Sequence, residues 1–332
     1  MKISQVVFVI SANSSSQSAG VFEKARAKIN LALNIVGLYP DGYHQVEMIM
    51  QTISLADCLK LTAISEGLEL EIVGGEIEND LSEDSSNLAW QAARLLKDKF
   101  PQKISGVRIE LEKNIPVAAG LAGGSADAAA VLRGLNSLFG LQLSRLELEE
   151  LGAELGMDVP FCIAGGTALA RGRGEELKSL PDLPAHRILL VNPEVEVSTA
   201  EVYNLFDELF YHGVENIYHG VENKKAIFDS GPGSDSYSLE SLLELIQGQK
   251  SISWQEGWYN LLQPVTFRLV PGLAELEEKL YDSGAAHVQM TGSGPTLIAY
   301  FSSEGELEEA LNSWQGQEKV IPARFSCRYS FE

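Results

Sequence analysis

The residues best suited to chemistry lie in four short stretches of the chain. Residues 116–127 read P-V-A-A-G-L-A-G-G-S-A-D. Gly120, Gly123 and Gly124 let a backbone approach a ligand closely, and Ser125 adds a hydroxyl. Where such a loop opens a helix, unpaired N–H groups and the helix dipole form an anion site, usually for phosphate. In Ala27-Lys-Ile-Asn30, strand alternation puts Lys28 and Asn30 on one face and Ile29 and Leu31 on the other. Asp41-Gly-Tyr-His44 is a turn with Tyr43 and His44 at its exit. In Gly156-Met-Asp-Val-Pro160, Asp158 is a lone carboxylate among apolar neighbours. Read singly, each stretch also fits a plain structural role: a packing turn, a solvated lysine, a surface histidine, a turn carboxylate.

The elements that must hold these groups can be read from periodicity. Val107-Arg-Ile-Glu-Leu-Glu112 alternates as a half-buried strand, and Ala128, Val131, Leu132, Leu135 and Leu138 recur at helical spacing until Gly140. The glycine loop thus leads from a strand region into a helix. It is not a Walker A loop, because no lysine follows the glycines, and its spacing does not fit the dinucleotide fingerprint either. Asn87 reads as the N-cap of a helix through Trp90 and Leu96, and Ser144-x-x-Glu147 as a capping box. Later come a strand at 188–191, a helix capped by Ser198-Thr199 and carrying Tyr203, and helices near 239–246, 271–282 and 304–314. Further strands follow at 286–290, 296–301 and about 324–329, around a glycine turn, Met290-Thr-Gly-Ser-Gly-Pro295. This order suggests an antiparallel α+β layer of ferredoxin type.

At 332 residues the chain suggests two domains. Its 46 acidic and 25 basic residues give a formal charge of −21, which argues against a nucleic-acid partner. A site for a polyanion in such a chain must be made locally positive by a few placed lysines and helix N-termini. Cys58, Cys162 and Cys327 are scattered, without metal spacing or disulfide density, which suits reduced thiols in a cytoplasm. Residues 1–21 read as a flexible tail, since the apolar run at 6–10 is shorter than the roughly 7–15 residues of a signal-peptide core. No stretch is long and apolar enough to predict a membrane span. Tyr-His-Gly-Val-Glu-Asn occurs at 211–216 and again at 218–223, and reads as a duplicated surface insert within about 207–237.

Ala27-Lys-Ile-Asn30, the 116–127 loop and Thr291-Gly-Ser-Gly294, in that order, resemble the three signature motifs of the GHMP kinases, a superfamily of small-molecule kinases. The likeness runs from about residue 22 to the end. It implies a two-domain α+β fold, with a ribosomal-S5-like N-terminal domain at 22–180, a ferredoxin-like C-terminal domain at 181–332 and the site between them. Asp41-Gly-Tyr-His44 and Gly156-Met-Asp-Val-Pro160 are more selective. They resemble the branch that uses ATP to phosphorylate the C2 hydroxyl of a cytidylylated methylerythritol in non-mevalonate isoprenoid synthesis. Carried over by position, the resemblance makes Lys28 and Asp158 the catalytic pair. It puts Asn87, Lys113, Pro116, Ala118, Ala119, Gly120, Leu121, Ala122, Gly123, Gly124, Ser125 and Ala126 at ATP. It puts Asn30, Tyr43, His44, Thr199 and Tyr203, with Asp158, at the substrate. Magnesium would enter with ATP, with no protein ligand assigned. The implied partners are small molecules, with no nucleic acid or membrane, and the protein would be a cytoplasmic monomer or homodimer. A homoserine or mevalonate kinase lacks the Asp-Gly-Tyr-His element, and a non-catalytic sensor would be expected to have lost Lys28, Asp158 or the glycines.

Overall fold

A computed structural model describes residues 20–75, 82–210, 239–248 and 258–329. The 211–223 repeat and most of the tail and insert lie outside them. Among the described residues the strands form two sheets.

The first sheet is built on two long antiparallel strands, β1 (Val21–Leu38) and β2 (His44–Ile64). β2 serves two neighbours in turn. Its second half pairs with β4 (Gly106–Lys113), and its first half with β5 (Thr167–Arg171). β3 (Gly67–Gly75) flanks β4, β6 (Glu176–Ser179) flanks β5, and the short β8 (Tyr259–Asn260) adds to β1 from the other half of the chain. In β4 the alternation works as read: Val107, Ile109 and Leu111 are buried and Arg108 is exposed. The covering helices are α1 (Leu88–Lys99) and α2 (Gly123–Leu138). The small side chains Ala126, Ala128, Ala129 and Ala130 let α2 sit deep in this core beside Val131, Leu132 and Leu135.

The second sheet has the order β11-β7-β10-β9 and is antiparallel throughout. Its strands are β7 (Arg187–Asn192), β9 (His287–Met290), β10 (Leu297–Tyr300) and β11 (Lys319–Arg324). β10 is buried along its whole length, as is β7 beyond Arg187, which explains their unbroken apolar runs. Ile188, Leu190 and Ile298 face the first core. Leu189, Val191 and Leu297 face a second core made with α5 (Thr199–Phe210), α7 (Gln263–Leu269), α8 (Gly272–Asp282) and α9 (Glu304–Ser313). α6 (Leu239–Gln247) joins the first core through Leu239, Leu242 and Ile246.

The last strand differs from its expected place. The sequence put it at about 324–329, whereas β11 occupies Lys319–Arg324. Pro322 disguises it, because proline is tolerated in an edge strand such as this one but argues against a central one. Residues after β11 cross back to the first sheet instead. Phe325 bridges Ile53 and Arg328 bridges Gly165. The Tyr329 ring is covered by Arg133 at 3.8 Å and Arg26 at 4.8 Å, and its hydroxyl donates to the Lys24 carbonyl. The helix α7 and the strand β8 were not expected from the sequence.

His287, at the start of β9, packs 5.7 Å from the Tyr300 ring, and burial lowers its pKa to about 4. The unfolded value is about 6.5, so between pH 6.5 and 4 the folded state binds fewer protons. Stability from this residue is therefore whole above about pH 6.5 and falls as pH drops, by roughly 3 kcal/mol at most. Urea melts of wild type and His287→Gln at pH 7.5 and 4.5 check this, and the variant should lose less stability on acidification. Equal acid losses would refute it.

Candidate active site

The glycine loop runs from the end of β4 to the start of α2 and is held at both ends by one buried charge cluster. The Lys113 ammonium donates to Asp57 on β2 and, at 2.6 Å, to Asp127 in α2. The other Asp57 oxygen accepts from the backbone N–H groups of Asn114 and Ile115, the first residues of the loop. Burial pushes the Asp127 carboxyl well up despite Lys113, while for Lys113 the two carboxylates outweigh burial and raise its pKa. Buried charges of this kind persist only when paired. Asp57 had no local sequence signal.

Within the loop, Ala118, Gly120 and Ala122 all take positive φ, at 51°, 75° and 56°. No side chain caps α2, so its first N–H groups stay available to a ligand. Gly120 is needed for a different reason than ligand access. A Cβ there would lie 2.3 Å from the Thr291 carbonyl oxygen, because the loop rests on the 291–294 turn. Gly123 likewise faces inward, toward the Ile115 side chain, and not into open space. Leu121 and Ala126 are buried in the core, and the Leu121 carbonyl accepts from the Lys28 N–H.

Lys28 and Asp158 come together as the sequence suggested, with Nζ 3.6 Å from Oδ2. Lys28 is buried, and its Nζ also donates to Asn30 Oδ1 at 2.9 Å. Asp158 stands at the start of a short helix, α4 (Val159–Ala164), where a plain turn was expected. Its carboxylate makes no capping bond there and remains a third exposed. Asn30 sits behind this pair. Its backbone N–H donates to Thr291 Oγ1, and its Oδ1 accepts from the Gly292 N–H. The third motif is thereby seated on the first, and Asn260 fixes it further by donating to the carbonyls of Met290 and Gly292. Thr199 at the start of α5 bonds Ser293 at 2.8 Å.

Beyond Asp158 the wall turns aromatic. The rings of His44 and Tyr203 are 4.6 Å apart, with Phe206 edge-on to His44 at 6.1 Å. Burial, aided by the Asp158 charge, pushes the Tyr203 phenol up to about 12. Tyr43 is half exposed, and the Arg173 guanidinium covers one face at 4.4 Å while pairing with Asp41. The ring-facing neighbours of Tyr43 and Tyr203 are Arg173 and His44 respectively.

A single cavity of about 1180 Å³ is lined by Lys28, Tyr43, His44, Asn87, Lys113, Asp158, Thr199 and Tyr203, and by loop residues from Pro116 to Ser125. Asn30, Leu121 and Ala126 stand behind its wall. Asn87 both caps α1, accepting from the Ala89 N–H, and faces the cavity. Arg173, Ser293 and Asp207 also line it and were missed in the sequence. Asp207 follows Tyr203 by one helical turn, a spacing that could have revealed it. One end of the cavity can therefore take a polyanion, the middle holds a paired carboxylate, and the other end offers flat rings.

Residues 87–166 match the model of the GHMP kinases N terminal domain, and residues 239–319 that of the GHMP kinases C terminal. The chain is 42% identical over 296 residues, 89% of its length and 93% of the relative's, to 4-diphosphocytidyl-2-C-methyl-D-erythritol kinase of Bacillus pumilus (strain SAFR-032). Among solved structures, a 4-(cytidine 5'-diphospho)-2C-methyl-D-erythritol kinase is similar with a TM-score of 0.70 at 31% identity, covering 92% of this chain and 99% of the other. A homoserine kinase from Cytophaga hutchinsonii is similar in fold, with a TM-score of 0.68 at 17% identity, covering 96% and 98%.

Proposed function

The chain belongs to the 4-diphosphocytidyl-2-C-methyl-D-erythritol kinase family of the GHMP kinases, and from that premise we propose its reaction and the part each residue plays. It is an ATP-dependent small-molecule kinase that phosphorylates the C2 hydroxyl of 4-diphosphocytidyl-2-C-methyl-D-erythritol. The observation that carries this reading is the position of the Lys28–Asp158 pair, in one cavity with both the phosphate loop and the rings of Tyr43, His44 and Tyr203.

ATP lies with its phosphates at the start of α2, where the N–H groups of Gly123, Gly124 and Ser125 and the helix dipole receive negative charge. Asn87 and Pro116 line the same end. The cytidine end of the substrate lies against the rings, and Thr199 faces the span between. Asp158 accepts the hydroxyl proton as the substrate oxygen bonds to the γ-phosphorus and the bond to the ADP oxygen breaks. An alcohol is a weak acid, so the carboxylate chiefly orients it, and positioning and electrostatics lower most of the barrier. Lys28, whose ammonium lies 3.6 Å from the Asp158 carboxylate, balances charge beside the moving phosphoryl group. Magnesium, arriving on the ATP phosphates, would spread their charge. Among the described residues no group of three His, Cys, Asp or Glu could hold a metal ion.

Among the described residues no helix is long and apolar enough to cross a membrane. Three free cysteines support a reducing, cytoplasmic setting. The reading is tested by measuring phosphoryl transfer from ATP to cytidylylated methylerythritol, homoserine and mevalonate. Turnover of the first alone is expected, and preference for either of the others would refute the assignment.

A further inference from the structure

α5 carries a carboxylate as well as a ring toward the cavity. Tyr203 and Asp207 are one turn apart and lie on the same helical face, and both line the cavity. Asp207 Oδ1 is 2.7 Å from His44 Nε2. A carboxylate can only accept, so the imidazole carries a proton on Nε2 and the ring is fixed in place. Tyr203 and Phe206 pack against that same ring from α5. The Asp207 side chain is 27% exposed, so it is not sealed behind the imidazole but forms part of the pocket wall. Arg173, the cation at this end, pairs with Asp41.

The two pyrimidines that such a pocket could meet differ at two adjacent positions of their edge, the exocyclic group and the ring nitrogen beside it, which accepts in cytosine and donates in uracil. Cytosine presents an exocyclic amine, a donor, where uracil presents a carbonyl, an acceptor. Stacking on Tyr203 or Tyr43 is blind to that difference, because every base has a π face. A fixed acceptor beside the rings is not blind to it. It matches the amine edge and confronts the carbonyl edge with like-charged oxygen, the kind of repulsion by which sites reject near-identical ligands.

We propose that Asp207 sets the pyrimidine preference of this site, by anchoring His44 through its Nε2–H and by keeping an acceptor in the pocket wall that suits cytosine and opposes uracil. The inference rests on the kinase reading above for the placement of the base. It assigns Asp207 a specificity role and gives it no part in the phosphoryl transfer itself.

The test compares kcat/KM for cytidylylated and uridylylated methylerythritol in wild type and Asp207→Asn. Wild type should prefer the cytidine substrate. The variant should lose roughly ten- to a hundredfold of that preference, the value of one good base-edge contact, through KM for the pyrimidine substrate. KM for ATP should stay within about twofold. Calorimetric titration with CDP and UDP reads the same preference without turnover. If wild type turns over neither substrate yet prefers CDP and the variant does not, the kinase reading fails and the Asp207 assignment stands. An unchanged preference, equal loss for both pyrimidines, or a wild type without preference would overturn the assignment. Should Asp207→Asn not fold, Asp207→Ser is read by the same ratio.

Discussion

Replacing Asp158 by Asn is expected to give a folded protein that binds ATP but transfers phosphoryl groups roughly 10²–10⁴-fold more slowly, the usual worth of a positioned general base. Asparagine keeps the shape of the side chain but cannot accept the hydroxyl proton. It also leaves the Lys28 ammonium, 3.6 Å away, without its carboxylate. The fold should tolerate the change, because Asp158 does not cap α4 and is a third exposed. Steady-state turnover with both substrates saturating measures the loss, and a melting curve and an ATP titration confirm that fold and nucleotide site survive. Near-normal turnover in a folded variant would remove Asp158 from the chemistry.

The second large effect is expected at Gly120, from a single methyl group. Gly120 has φ of 75°, a conformation that costs an alanine roughly 1–2 kcal/mol. The added Cβ would also stand 2.3 Å from the Thr291 carbonyl oxygen, a backbone atom that cannot rotate aside. Loop and turn must separate, which moves the N–H groups that receive phosphate. With total strain on the order of 1–3 kcal/mol, Gly120→Ala should weaken ATP roughly ten- to a hundredfold. Gly272→Ala is the control, since a Cβ there meets nothing within 4 Å. Calorimetric titration with a non-hydrolysable ATP analogue decides the matter. Equal affinities for wild type and Gly120→Ala would show that the loop does not depend on its seat against Thr291.

The parts of the site that were legible in the sequence are those where the backbone itself is constrained. The 116–127 loop needs glycine where it meets Thr291, so the need appears as a motif. Lys28 and Asn30 could be put on one strand face because alternation dictates it, and their 2.9 Å hydrogen bond follows from that. The capping box at Ser144 is a local device. Asp57 was illegible because its partners, Lys113 and the N–H groups of residues 114 and 115, are distant in sequence and meet it only through the β2–β4 pairing. Arg173 was illegible because its partners, Asp41 and Tyr43, lie on another turn. β11 was misplaced because Pro322 signals a break in any strand, and only the sheet order shows that it lies at an edge.

The chain after β11 also limits how the molecule can move. Ser326 donates to the Thr52 carbonyl, Gln51 donates to the Ser326 carbonyl, and Tyr329 is gripped between Arg26 and Arg133. On the opposite side of β1 from β2, the two residues of β8 extend the first sheet with backbone from the C-terminal half. Among the described residues the two halves are thus stitched together twice, which restricts any swing of one against the other. For the same reason neither half is an independent folding unit, and heating should melt both sheets in one cooperative step.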